Sequence, residues 1–134
     1  MRPDTVLVAD DDKFLAALIR ESLQAAGLAV HLAHDGISAL VLAKEIEPAL
    51  IILDVMMPGK GGLEVLATIK SSSRLKVIPV IMLTASRGEK CVREAIEGGA
   101  TDYVAKPFVP AALVRRVQSH LRGRPSDSSV ELDG

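Results

Sequence analysis

The chain has no tryptophan, one tyrosine and two phenylalanines, so aromatic residues make up only 2% of it. That scarcity disfavours a domain that stacks nucleobases or flat cofactors on aromatic side chains, and it requires an aliphatic core. A single cysteine, Cys91, excludes an internal disulfide. Charge of one sign is also missing. The formal net charge is -1 with 25% charged residues, which argues against both a broad basic surface for a polyanion and general disorder. The longest apolar runs, such as residues 77–83 with Pro79 inside, are too short to cross a bilayer. Residues 1–5 are short and polar rather than a basic-then-apolar leader, so the expected location is cytoplasmic, with no membrane partner. What is plentiful is hydrophobic residues, 49% of 134, enough for one core without staples.

Short apolar runs recur at residues 5–9, 28–33, 50–53, 79–83 and 101–105, separated by segments with helical spacing. The first, third and fourth runs are continuously aliphatic, as in parallel strands covered on both faces. Phe14, Leu15, Leu18, Ile19, Leu23 and Ala26 follow a helical period before Gly27, and Ile37, Leu40, Ala43 and Ile46 do so before Pro48. Leu63, Leu66, Ala67 and Ile69 predict a third helix. Ser86 and Glu89 have capping-box spacing for a fourth, carrying Val92, Ala95 and Ile96; a fifth follows Pro110 with Leu113, Val117 and Leu121 on one face. Five strands alternating with helices predict a single-domain, doubly wound α/β fold over residues 1–122. Residues 123–134 carry one arginine against three acids without periodicity, and are expected to be a flexible acidic tail or the start of a linker.

Open α/β sheets bind ligands beyond the carboxyl ends of their strands. The residues there are Asp10, Asp11 and Asp12 after the first run, Asp54 after the third, Thr84 after the fourth, and Lys106 with Pro107 after the fifth. Asp12 reads as an ordinary helix N-cap. One residue suffices for capping, so adjacent Asp10 and Asp11 call for a cation that relieves their repulsion. Carboxylate oxygens without histidine or cysteine at ligand spacing favour Mg²⁺ over zinc. Asp54 alone is as well explained by turn statistics as by function, and Thr84 alone is most simply a local hydrogen-bonding residue. Lys106 beside carboxylates has a purpose if a second anion must bind.

Taken together, Val6-Leu7-Val8-Ala9-Asp10-Asp11, Leu53-Asp54-Val55-Met56-Met57-Pro58, Leu83-Thr84-Ala85 and Tyr103-Val104-Ala105-Lys106-Pro107-Phe108 resemble the receiver domain of two-component response regulators. The resemblance spans residues 5–121. It implies a CheY-like three-layer sandwich, with a five-stranded parallel sheet of order 2-1-3-4-5. It implies that Asp54 takes a phosphoryl group from a sensor histidine kinase or phosphotransfer protein. Asp10, Asp11, Asp54 and the main-chain carbonyl of Met56 would hold Mg²⁺, with Lys106 and Thr84 meeting phosphoryl oxygens. Thr84 and Tyr103 would then switch the face of the fourth helix, fifth strand and fifth helix, including Val92, Ile96 and Leu113. A downstream protein or output domain would read that face, or a phosphorylation-dependent dimer would form through it. Docking at the first helix, around Phe14 and Leu15, is also implied, with no direct nucleic-acid binding by this domain.

Two positions depart from the family's habit. Gly61 stands where many members carry an acid, which predicts a looser loop. Met56, two residues after Asp54, offers no polar group to orient an attacking water, and with Ser86 it predicts a moderate to long phosphorylated lifetime. Rival readings are weaker. A haloacid-dehalogenase-like, Mg-dependent aspartyl-nucleophile phosphatase needs a second Asp where Met56 stands. A flavodoxin-like module needs a phosphate loop where the three acids stand. An unphosphorylated interaction scaffold would not need Asp10, Asp11, Asp54, Thr84 and Lys106 together. A signalling phospho-acceptor, rather than an enzyme, is expected.

Overall fold

Uninterrupted aliphatic stretches of five residues can only be satisfied by burial on both faces, and the chain uses them in that way. The computed structural model describes residues 4–85 and 89–122, so the Ser86 cap and the 123–134 tail lie outside the described residues. The elements run β1 (Thr5–Ala9), α1 (Lys13–Ala25), β2 (Ala29–Ala33), α2 (Gly36–Ile46), β3 (Leu50–Asp54), α3 (Gly62–Ser71), β4 (Val80–Thr84), α4 (Glu89–Glu97), β5 (Asp102–Ala105) and α5 (Pro110–Arg122). All strand pairs are parallel, in the order β2-β1-β3-β4-β5. The expected doubly wound fold and strand order are both present.

Side chains alternate across a strand, so each central strand feeds two cores. Val6 and Val8 join Ile52, Ile81 and Leu83 under Ile19 and Leu23 of α1 and Leu113, Val117 and Leu121 of α5. Leu7 and Ala9 join Ile51, Leu53, Val80 and Met82 under Leu40 and Ala43 of α2, Val65, Leu66 and Ile69 of α3, and Ala95 of α4. Each large aliphatic side chain removed from water contributes roughly 1.5–3 kcal/mol, and these two layers clamp the sheet so that its carboxyl edge is a fixed platform.

Several boundaries differ from the sequence reading, each for a local reason. Leu28 is outside β2 because its N–H closes the end of α1 on the Leu23 carbonyl, beyond Gly27 at φ +91°. Asp54 and Thr84 are the last residues of β3 and β4 rather than the first residues after them, in register with Leu83 and Ala105. In α1 the inward stripe is Ala16, Ile19 and Leu23, while Phe14 is 90% exposed; Phe14 lies five residues before Ile19, roughly 140° around the helix. Leu113 is buried under α5, so it cannot belong to a surface formed by α4, β5 and α5.

Candidate functional site

Because all five strands are parallel, their carboxyl ends share one edge, and Asp10, Asp54, Thr84 and Lys106 arrive there from β1, β3, β4 and β5. Asp10 is fully buried, and Asp54 and Thr84 nearly so. Asp11 stays exposed at the mouth. Asp12 caps α1, its carboxylate accepting from the Leu15 N–H at 3.0 Å. The register sets the neighbours: the Lys106 N–H donates to the Thr84 carbonyl at 2.8 Å, extending the β4–β5 ladder by one step.

Each buried carboxylate is held from two sides. Asp10 Oδ1 accepts from the Asp12 N–H at 2.9 Å, and its Oδ2 forms an ion pair with Lys106 Nζ at 3.0 Å. Asp54 Oδ1 accepts from the Met56 N–H at 3.3 Å, and its Oδ2 accepts from Lys106 Nζ at 3.2 Å. Burial, then the neighbouring Asp10, raises the Asp54 pKa from 3.8 to about 6, against the opposing pull of Lys106. Burial works against the Lys106 ammonium too, but Asp10 and Asp54 outweigh it and hold its pKa above that of an ordinary lysine.

Lys106 does not satisfy the pocket. The ion pair to Asp10 Oδ2 lacks hydrogen-bond direction, and that buried oxygen accepts no hydrogen bond among the described residues. Oxygens of Asp10, Asp11 and Asp54 lie within 4.8 Å of one another. An all-oxygen donor set with one under-satisfied buried acceptor and one exposed member fits a hard divalent cation that keeps several waters. The residues present therefore suit Mg²⁺.

The loop after Asp54 is tied down despite its glycines. Met57 is buried in the core while Met56 is 72% exposed. The Gly62 N–H donates to the Val55 carbonyl at 2.9 Å, and a Cβ on Gly62 would stand 2.1 Å from the Asp54 carbonyl oxygen, so only glycine permits that approach. The Gly61 N–H donates to Glu64 Oε1 at 3.2 Å, so an acid three residues later contacts the turn.

Sequence reasoning missed two groups. His34 Nδ1 lies 2.9 Å from the main-chain carbonyl of Asp10, behind the acidic pocket. On the far edge, Asp102 at the start of β5 pairs with Arg116 and His120 of α5 at 2.6 and 2.9 Å. The i, i+4 spacing of Arg116 and His120 was the available signal, but their partner lies in another element. Tyr103 is half-buried in β5, in register with Met82, next to this cluster.

Comparison with known proteins gives a consistent result. The family profile described as the response regulator receiver domain matches residues 6–118. The DNA-binding response regulator MtrA of Mycolicibacterium smegmatis is 39% identical over 127 residues, covering 95% of this chain and 54% of that protein. MtrA of Mycobacterium leprae is 38% identical, with 95% and 55% covered. The chain thus spans about half the length of these curated relatives. Among solved structures, the chemotaxis protein CheY4 of Vibrio cholerae superposes with a TM-score of 0.83 at 33% identity, covering 87% of this chain and 98% of that one. A Francisella response regulator receiver domain gives 0.84 at 33% identity, with 89% and 97% covered.

Proposed function

The chain belongs to the response regulator receiver domain family of two-component systems, and on that premise we propose that Asp54 is its phosphoryl acceptor. The observation that carries this reading is the placement of Asp54 at the end of β3, nearly buried, with Lys106 on Oδ2 and the Met56 N–H on Oδ1. A carboxylate oxygen attacks the phosphorus of a phosphohistidine on a sensor kinase or phosphotransfer protein; an O–P bond forms, the N–P bond breaks, and the histidine keeps the electron pair. Such a transfer needs charge neutralisation and in-line positioning more than a base.

Asp10, Asp11, Asp54 and the main-chain carbonyl of Met56 are the groups that would hold Mg²⁺, which when bound neutralises charge on the phosphoryl oxygens. Lys106 meets another of those oxygens, moving from its present ion pairs. Thr84, beside Lys106 on the β4–β5 ladder, donates its hydroxyl to a third. A phosphoryl group that binds better with Thr84 drawn toward it shifts the population of the Thr84 loop, and half-buried Tyr103 passes the change to the α4–β5–α5 face. That face is read by a protein partner, by an output domain or by a second copy of the chain. The relatives' name assigns DNA binding to proteins about twice the matched length; we place no nucleic-acid contact in residues 1–122. No helix among the described residues is long and apolar enough to cross a membrane.

Peptide mapping after incubation with acetyl phosphate and Mg²⁺ tests the assignment. A hydroxylamine-labile phosphoryl group on the peptide carrying Asp54 is expected; a label on a serine or histidine contradicts it.

A further inference from the structure

Asp10 is fastened unusually completely for a strand-end residue. Its N–H donates to the Ala33 carbonyl at 3.0 Å, and its Oδ1 accepts from the Asp12 N–H at 2.9 Å. Its main-chain carbonyl is 2.9 Å from Nδ1 of His34, the residue directly after Ala33. Among the described residues, that ring is the one hydrogen-bond partner of the carbonyl. A carbonyl oxygen can only accept, so the contact requires a proton on Nδ1. A neutral ring is then the Nδ1–H tautomer, with a bare Nε2.

We propose that His34 is a positioning residue for the acidic pocket: through its Nδ1–H bond to the Asp10 carbonyl, it fixes the 10–11 peptide, which sets where Asp11 and the Asp12 N–H stand relative to the Asp10 carboxylate. The inference rests on the reading of that pocket as a Mg²⁺ site. Asp10 is fully buried, and its Oδ2 is the acceptor left without a hydrogen bond. Rotation of the 10–11 peptide would leave Cβ of Asp10 in place but displace Asp11 and the Asp12 N–H that holds Asp10 Oδ1, so that the oxygens of Asp10, Asp11 and Asp54 no longer converge. The Ala33–His34 step thus holds both main-chain polar groups of Asp10, the N–H through a carbonyl and the C=O through a side chain. Only the second depends on residue type. Groups that orient a metal's ligands without touching the metal typically change affinity by about 10- to 100-fold when removed.

Two measurements on the whole chain test this. Ring ¹⁵N NMR of the metal-free protein at about pH 8, where an ordinary imidazole is neutral, is expected to show His34 as the Nδ1–H tautomer; an Nε2–H tautomer overturns the proposal. Calorimetric Mg²⁺ titration is expected to show about 10-fold weaker binding for His34→Phe, which keeps a ring but has no donor. His34→Asn, whose amide nitrogen falls near the Nδ1 position, is expected to recover most of the loss, and His31→Phe, at an exposed position in β2 just before His34, to bind like the wild type. Wild-type affinity in His34→Phe overturns the proposal, as does a loss in His34→Phe that His34→Asn does not recover. If the wild type binds no Mg²⁺ at all, the reading of the pocket fails, and the tautomer alone decides whether His34 holds Asp10.

Discussion

Lys106 and Asp54 are 52 residues apart in sequence, yet Nζ of Lys106 donates to Asp54 Oδ2 at 3.2 Å. The same ammonium lies 3.0 Å from Asp10 Oδ2. One partly exposed lysine is thus the counter-ion for two carboxylates buried at the end of a parallel sheet. In Lys106→Met the carboxylates lose that cation, and Asp54 is expected to titrate above its present value of about 6. Melting in EDTA should show a loss of about 2 kcal/mol at about pH 8, less than the 3–5 kcal/mol of a fully buried pair. At about pH 5 the loss should be smaller, because a protonated Asp54 no longer needs the lysine. Equal losses at both pH values would contradict this account.

Asp54 itself is a cost to the metal-free fold. Its pKa is raised from 3.8 to about 6, so the folded chain binds more protons than the unfolded chain between those values. Stability from this group therefore rises as pH falls through about 6 and is complete below the unfolded value. Asp54→Asn is expected to melt several degrees higher than the wild type at about pH 8 in EDTA, with the difference shrinking toward about pH 4. Calorimetric melts across that range check it, and a destabilised Asn variant at about pH 8 would argue against the burial cost.

The strand ends were legible because continuous aliphatic runs such as residues 50–53 leave few interpretations, and the polar residue that ends each run falls at the same edge of any parallel sheet. Asp10, Asp54, Thr84 and Lys106 follow from that logic. Helical period was a poorer guide to exposure: Phe14 and Ile37 belong to apolar patterns yet are 90% and 63% exposed. Periodicity marks a stripe, and which part of it meets the sheet depends on how the helix docks. His34 and the Asp102 cluster were not legible, since each depends on a contact between elements that no local pattern records. The tie from the Gly61 N–H to the Glu64 side chain is different, since a three-residue capping spacing is local and was visible in the sequence.

Gly59 in the loop and Gly62 at the start of α3 should respond to different degrees to the same substitution. A Cβ on Gly62 would sit 2.1 Å from a main-chain oxygen that cannot retreat without moving Asp54. Gly59, at φ +72°, has nothing within 4 Å of its Cβ position. Gly62→Ala is expected to cost about 3 kcal/mol or more and to weaken Mg²⁺ binding. Gly59→Ala is expected to cost only about 1 kcal/mol of backbone strain, leaving Mg²⁺ affinity unchanged. Denaturant melts and Mg²⁺ titrations of both variants separate steric clash from backbone strain.

The Asp102 cluster makes a separate pH prediction. Burial opposes its ionisation, but hydrogen bonds from His120, the Tyr103 N–H and Arg116 outweigh burial and hold its pKa below 3.8. A depressed carboxylate contributes stability that is fully present above the unfolded pKa and is lost as pH falls through the folded one. Asp102→Asn should therefore melt below the wild type at about pH 7 and converge with it in strong acid. A gap that persists at about pH 2 would show that the cluster acts through packing rather than charge.

The central claim is that Asp54 accepts a phosphoryl group in a site built with Asp10, Asp11, Thr84 and Lys106. Intact-mass measurement after incubation with acetyl phosphate and Mg²⁺ tests it most directly. The account predicts one phosphoryl adduct on the wild type and none on Asp54→Asn; an unmodified wild type, or an equal adduct on both, would contradict it.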